Sequence, residues 1–174
     1  MSKTQLKKEL AGLNKDQLQQ LILDLYGARK EAKAWFDFFV NPDIDKLTEK
    51  FQNEIEKELN RGKYTKSTAR ISRVRSSIRD YASYGVDAES LIKLMVFTLK
   101  MGLRVERTKY VSKTFMAGMV RLAEDILKEG DKKEVFDFAF SQLGEALNGS
   151  YGYLGFVNHI RRSIDWSLLD TRRS

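Results

Sequence analysis

Apolar positions along this chain recur at spacings of three and four, and that spacing predicts helices. The densest stretch is Leu91 to Leu103, where Lys93, Thr98, Lys100 and Gly102 are the sole non-apolar residues. It is too long for a strand, and too short and too charged to span a bilayer. At about 100° per residue, Glu89, Lys93, Lys100, Arg104 and Arg107 fall on one narrow stripe. The pattern predicts a central apolar helix over 88–106, buried on most of its circumference and wet along one edge. Asp87 stands where an N-cap is needed. Such a helix requires others packed round it.

The flanking sequence supplies them. Ser2 and Gln5 form a capping pattern for a short helix over 3–11, with Leu6 and Leu10 on its inner face and Gly12 at its end. Asn14 and Gln17 repeat the pattern, and one long helix is predicted to Val40 on Leu18, Leu21, Ile22, Leu25, Trp35, Phe36 and Phe39. Pro42 stops it. The stretch 43–59 repeats Leu47, Phe51, Ile55 and Leu59, and a basic loop follows over 60–66. Helix is predicted again from Ser67 to Tyr84 on Ile71, Val74, Ile78 and Tyr81, with Gly85 as the stop. Beyond the central helix and a loop at 109–111, Ser112 caps a helix on Phe115, Met119, Ala123, Ile126 and Leu127 that Gly130 ends. Asp131 and Glu134 read as a capping box for the next helix, on Phe136, Ala139, Leu143 and Leu147. Asn148-Gly149-Ser150 breaks the chain, a last helix is predicted over 153–169, and 171–174 fray.

No stretch alternates as a strand does. The helix starts lie about 19–25 residues apart, so pairs of them approach the 40–47 residues of HEAT-like hairpins. The expected fold is all-α, a single domain over 1–174 with seven to eight helices. They form antiparallel helical hairpins, arranged as a bundle or a HEAT-like array around the central helix.

Composition narrows the function classes. The 174 residues contain no cysteine, which removes disulfides and thiolate sites and fits a reducing cytoplasm. No secretory signal and no apolar run of spanning length is read, so a cytoplasmic location is expected. A net charge of +7 suits nucleic acid, an anionic surface or an acidic protein as partner.

The chain resembles an uncharacterised family of small helical bacterial proteins, domain of unknown function 6155. The likeness rests on Ser2-Lys3 with Leu6-Lys7-Lys8, Leu23-Asp24-Leu25-Tyr26, Phe38 and Asn41-Pro42. It continues through the basic connection before Ile71 to Ile78, then Leu94-Met95 and Phe115 with Met119. The resemblance implies a bacterial intracellular helical protein. It implies no activity. Where it implies acids around the central helix, this chain carries Lys93 and Lys100.

Three features carry candidate chemistry. Between Glu58 and Asp80 lie seven cations and no acid: Arg61, Lys63, Lys66, Arg70, Arg73, Arg75 and Arg79. Continued as a helix, the run puts Lys66, Arg70 and Arg73 on one side and Arg75 and Arg79 on the other, with Tyr64 available to stack on a base. The competing reading is a solvated face whose arginines pair with acids such as Glu54, Glu56 and Glu58. A second basic line, Lys93, Lys100, Arg104 and Arg107 with Lys109 and Lys113 beyond, strengthens the nucleic-acid reading if both lines share a face. The third feature is the Gly/Tyr loop 149–156, where Tyr151, Tyr153, His159 and Arg162 offer a ligand site; the alternative is a tight connection closing the core.

His159 is the sole histidine and has no cysteine to activate, and no nucleophile, base and orienter set is recognisable. No metal site and no cofactor is expected. The sequence therefore reads as a non-enzymatic binding or scaffold module contacting nucleic acid or another polyanion, or an acidic protein. The alternative is a protein-interaction or dimerisation module using the aromatic row Trp35, Phe36, Phe38 and Phe39, and a third is a small-ligand or hydrolytic site near 150–162.

Overall fold

The structure, a computed structural model, describes residues 2–149 and 151–164. The described residues form nine α-helices and no strand. None of these helices is long and apolar enough to cross a membrane. The expected last turn to Leu169, the fray at 171–174 and Ser150 lie outside the described residues.

The chain, expected as one domain, packs as two compact units, 1–43 and 44–174. The first holds α1 (Lys3–Ala11), α2 (Lys15–Ala28) and α3 (Lys30–Val40). Ser2 caps α1, and the Asn14–Gln17 box closes α2 with both hydrogen bonds at 2.9 Å. The single long helix expected over 14–40 breaks at Arg29, whose backbone is extended (φ −133°, ψ 122°). Nothing in Ala28-Arg29-Lys30-Glu31 disfavours helix. The break, two residues after Gly27, brings α3 back against α2. Tyr26 donates to Asp37 Oδ1 at 2.8 Å and its ring meets Phe36, which ties the hairpin. No residue of α1, α2 or α3 is buried, so the inward placement expected for Leu6 and Leu10 does not hold.

The second unit holds the core. It comprises α4 (Ile44–Leu59), α5 (Ile71–Ser83), α6 (Ala88–Thr108), α7 (Lys113–Lys132), α8 (Phe136–Asn148) and α9 (Leu154–Ser163). Helix α6 is the expected centre: α4, α5, α7 and α8 all pack on it. Eleven of its 21 residues are buried, whereas Lys93 and Arg104 stay exposed on the stripe. Asp87 caps it through Ser90 N at 2.8 Å. Buried Thr98 donates to Leu94 O at 2.8 Å, which removes the cost of its hydroxyl.

Two helix boundaries differ from expectation. Helix α5 begins at Ile71 rather than Ser67, because 65–68 hydrogen-bond to other segments. Gly130 does not end α7, and Asp131 with Glu134 forms no capping box. A Cβ at Gly130 would lie 2.5 Å from Ala139 Cβ, so this glycine serves the close approach of α7 and α8. The turn follows at Glu134, whose φ is 61°.

Leu99 is fully buried on α6. Leu99→Ala is expected to destabilise the protein by about 2–5 kcal/mol, the usual range for a leucine cavity, as read from urea unfolding.

Candidate nucleic-acid interface

Between α4 and α5 the basic loop is built on its backbone. Gly62 has φ 111°, and a Cβ there would collide with the Lys66 carbonyl oxygen, so the turn requires glycine. Lys66 N donates to Lys63 O at 3.1 Å and Thr68 N to Arg61 O at 2.9 Å. The loop is then stitched to the segment leaving α6. Tyr110 N donates to Thr65 O at 2.9 Å and Ser67 N to Tyr110 O at 3.0 Å, which makes an isolated parallel bridge at Lys66 and Tyr110. Lys109 Nζ donates to Asn60 O at 2.7 Å, placing a cation at the C-terminal end of α4.

This stitch sets Lys66 beside Tyr110 just past the end of α6, where Arg107 and Lys109 precede Tyr110, and Lys63 and Tyr64 stand in the same loop. Tyr64 is 97% exposed and Tyr110 73% exposed. The stripe continues the surface backwards along α6. Arg104 and Lys100 both stand over the Tyr151 ring, at 5.1 and 5.7 Å from its centroid. Lys93, further back, pairs with Glu89 at 3.7 Å and stands over Phe138.

The Gly/Tyr loop therefore divides. Tyr151 joins the α6 stripe, and Gly152 lies against Leu103, where a Cβ would come 3.0 Å from Cδ2. Tyr153 N donates to Glu106 Oε2 at 3.2 Å, holding the loop on α6. Burial raises the Glu106 carboxyl, and that hydrogen bond partly opposes the rise. His159 and Arg162 stand apart on α9. His159 lines neither the cleft at Tyr151 nor the cleft at Tyr153, and its ring stacks on Phe156. Arg161 instead closes the α8 end, donating to Leu147 O and Asn148 Oδ1 at 2.9 and 2.7 Å. Among the described residues no group of three or more Asp, Glu or His side chains converges as a metal-ligand set.

The Arg61–Arg79 run does not form one row. Arg61 and Arg70 converge on Glu58 Oε1, at 3.7 and 3.3 Å, and Arg70 N donates to the same oxygen at 2.9 Å. Arg75 pairs with Asp125 at 2.7 Å. Arg75 and Arg79 line a trough that also contains Leu91 and Met95 of α6. Each of those lies two residues from Lys93, about 200° round the helix, so the trough and the stripe occupy opposite sides of α6. Lys66 sits in the extended stitch, not on a helix with Arg70 and Arg73, and Arg73 lies exposed on α5. The two basic lines join through the loop alone. Tyr110 escaped the sequence reading; its signal was an aromatic residue between Lys109 and Lys113 at a helix exit.

Burial disfavours the charged Glu58 carboxyl, but hydrogen bonds and charge from Arg70, then the charge of Arg61, outweigh it and hold it below the usual glutamate range. A carboxyl lowered on folding contributes stability above its unfolded value and loses it as pH falls through its folded one. Glu58→Gln is expected to cost about 1 kcal/mol at neutral pH, a figure kept small because both arginines remain well exposed. The difference from the parent closes as pH drops through the carboxylate range, which urea melts at about pH 7 and about pH 3 measure.

No curated protein and no solved structure matches the chain. A family model does, over residues 1–139, from the first helix into α8, and the chain belongs to that family, a family of unknown function (DUF6155).

Proposed function

We propose that this chain is a non-enzymatic cytoplasmic binding module of a bacterium that holds nucleic acid at the exit of α6. Phosphates are contacted by Lys63 and Lys66 from the loop and by Arg107 from the stripe, with Arg104 and Lys100 extending the track. Tyr64 and Tyr110 offer faces for bases. The observation that carries this reading is the Lys66–Tyr110 bridge, which joins two basic segments far apart in sequence and holds both tyrosines out to water. Lys63 and Lys66 have no carboxylate within ion-pair distance among the described residues, so a phosphate need not displace an internal partner. The missing cysteine fits a reducing compartment.

The test is a fluorescence titration with labelled single- and double-stranded DNA and RNA at about 50 and 200 mM salt. Affinity is expected to fall steeply with salt. A Lys63→Glu/Lys66→Glu double variant should reduce the log–log slope by roughly 0.7–0.9 for each phosphate it no longer neutralises, and Tyr64→Ala should cost about 1–3 kcal/mol on single strands. Arg79→Glu, across α6, should leave binding unchanged. Salt-independent binding, or binding indifferent to the double reversal, refutes the proposal.

A second reading rests on the first unit. Trp35 and Phe39 stack at 5.5 Å while 36% and 68% exposed, and Val40 beside them is 80% exposed. An aromatic face of this kind suits protein association. It predicts concentration-dependent self-association, or capture of a partner, that Phe39→Glu abolishes. Sedimentation of a monomer at every concentration, identical for parent and variant, would exclude the self-associating form.

A further inference from the structure

The trough opposite the basic stripe is used by neither reading, and its construction identifies a ligand class. Helices α5 and α7 both lie on α6, and at one end they touch: Gly118 has no side chain, and a Cβ there would come 2.5 Å from Ile71 Cγ2. One to two turns on, Arg75 and Asp125 tie the two helices at 2.7 Å. Beyond that pair the trough extends between the C-terminal parts of α5 and α7, with a volume of about 490 Å³, within the range of small-molecule sites (about 300–1,000 Å³). Its floor is apolar: Ile78 and Ala82 from α5, Leu91 and Met95 from α6, Leu122 from α7.

The rim is charged, and the charges are not balanced. Asp125 is held by Arg75, Glu129 pairs with Lys132 at 3.7 Å, and Lys128 reaches Glu124 at 4.0 Å. Arg79 on the α5 wall and Lys133 on the α7 side have no carboxylate within ion-pair distance among the described residues. Two uncompensated cations from opposite walls thus overlook an apolar floor. An acidic head with an apolar tail satisfies both parts, since the head offsets the cations while the tail leaves water.

We propose that the α5–α7 trough binds a free single-chain carboxylate amphiphile, its alkyl chain on Leu91, Met95 and Leu122 and its carboxylate between Arg79 and Lys133. Three helices wall the site, which suits a free chain better than a flat bilayer surface.

The test uses the full chain and two probes, laurate below its micellar concentration and dodecanol as the uncharged match, followed by calorimetry and by amide shifts of α5, α6 and α7. Laurate should bind at one equivalent and dodecanol at least about tenfold more weakly, the loss expected for charge-assisted contacts. An Arg79→Glu/Lys133→Glu variant should bind laurate about tenfold more weakly and leave dodecanol unaltered. Ala82→Trp, which fills the trough, should abolish both, with Ala82→Leu as the smaller plug if the tryptophan variant does not fold. Lys63→Glu/Lys66→Glu should leave laurate binding intact, so this site and the nucleic-acid interface fail or succeed separately. Absence of laurate binding overturns the proposal, as does binding insensitive to the reversals or to both plugs. Recruitment to phosphatidylglycerol vesicles without laurate binding, lost on the same reversals, would assign these cations to a membrane surface instead and equally overturn it.

Discussion

Helix α6 is apolar over most of its circumference, and water-free cover for it has to come from other elements. That constraint orders the second unit. Helices α4, α5, α7 and α8 each take part of its surface. What they leave uncovered is decided by charge, since Lys93, Lys100, Arg104 and Arg107 cannot be buried without partners. The wet stripe is therefore both the limit of the core and the start of the basic surface. The trough has the same origin from the other side. It lies where two covering helices, held together at Gly118 and at Arg75–Asp125, leave a trough above the buried Leu91 and Met95 of the α6 flank.

Much of this was legible because the signals are local and strong. The stripe on α6, the caps at Ser2, Asn14, Asp87 and Ser112, and the stops at Pro42 and Gly85 follow from spacing and from the orphan amides of a helix end. What escaped depends on partners distant in sequence. Gly130 reads as a stop because glycine often follows a helix, yet here it admits Ala139 of the next helix. The break at Arg29 lets Tyr26 of α2 meet Phe36 and Asp37 of α3, contacts across 10 and 11 residues that helical spacing does not reveal. Residues 67–70 continue a plausible helical pattern, but their backbone is recruited by Tyr110 and Glu58.

The candidate sites show the same division more sharply. The cations were visible as a run, and their fates were not. A charge is available to an external ligand when the fold gives it no acid, and the acids that neutralise Arg70 and Arg75 lie 12 and 50 residues away. Glu58 is the clearest case. It closes the α4 end, pairs with Arg61 and Arg70, and so leaves Lys63 and Lys66 as the loop cations with no carboxylate within ion-pair distance among the described residues.

An unbroken row of arginines on α5 would have faced two environments at once, because a helix turns while a run of residues does not. The structure resolves this by sorting the run along its length. Its first members sit on an extended loop whose direction is fixed by hydrogen bonds to Tyr110, so they follow the α6 exit. Its last members sit on α5 proper and follow that helix into the trough. Helix α6 separates the two groups, and salt screening between exposed charges on its opposite sides leaves little coupling between them. One basic segment thereby serves two surfaces of different chemistry, an aromatic-flanked track on one side and a charge-rimmed apolar trough on the other, with the start of α5 at Ile71 as the point of division.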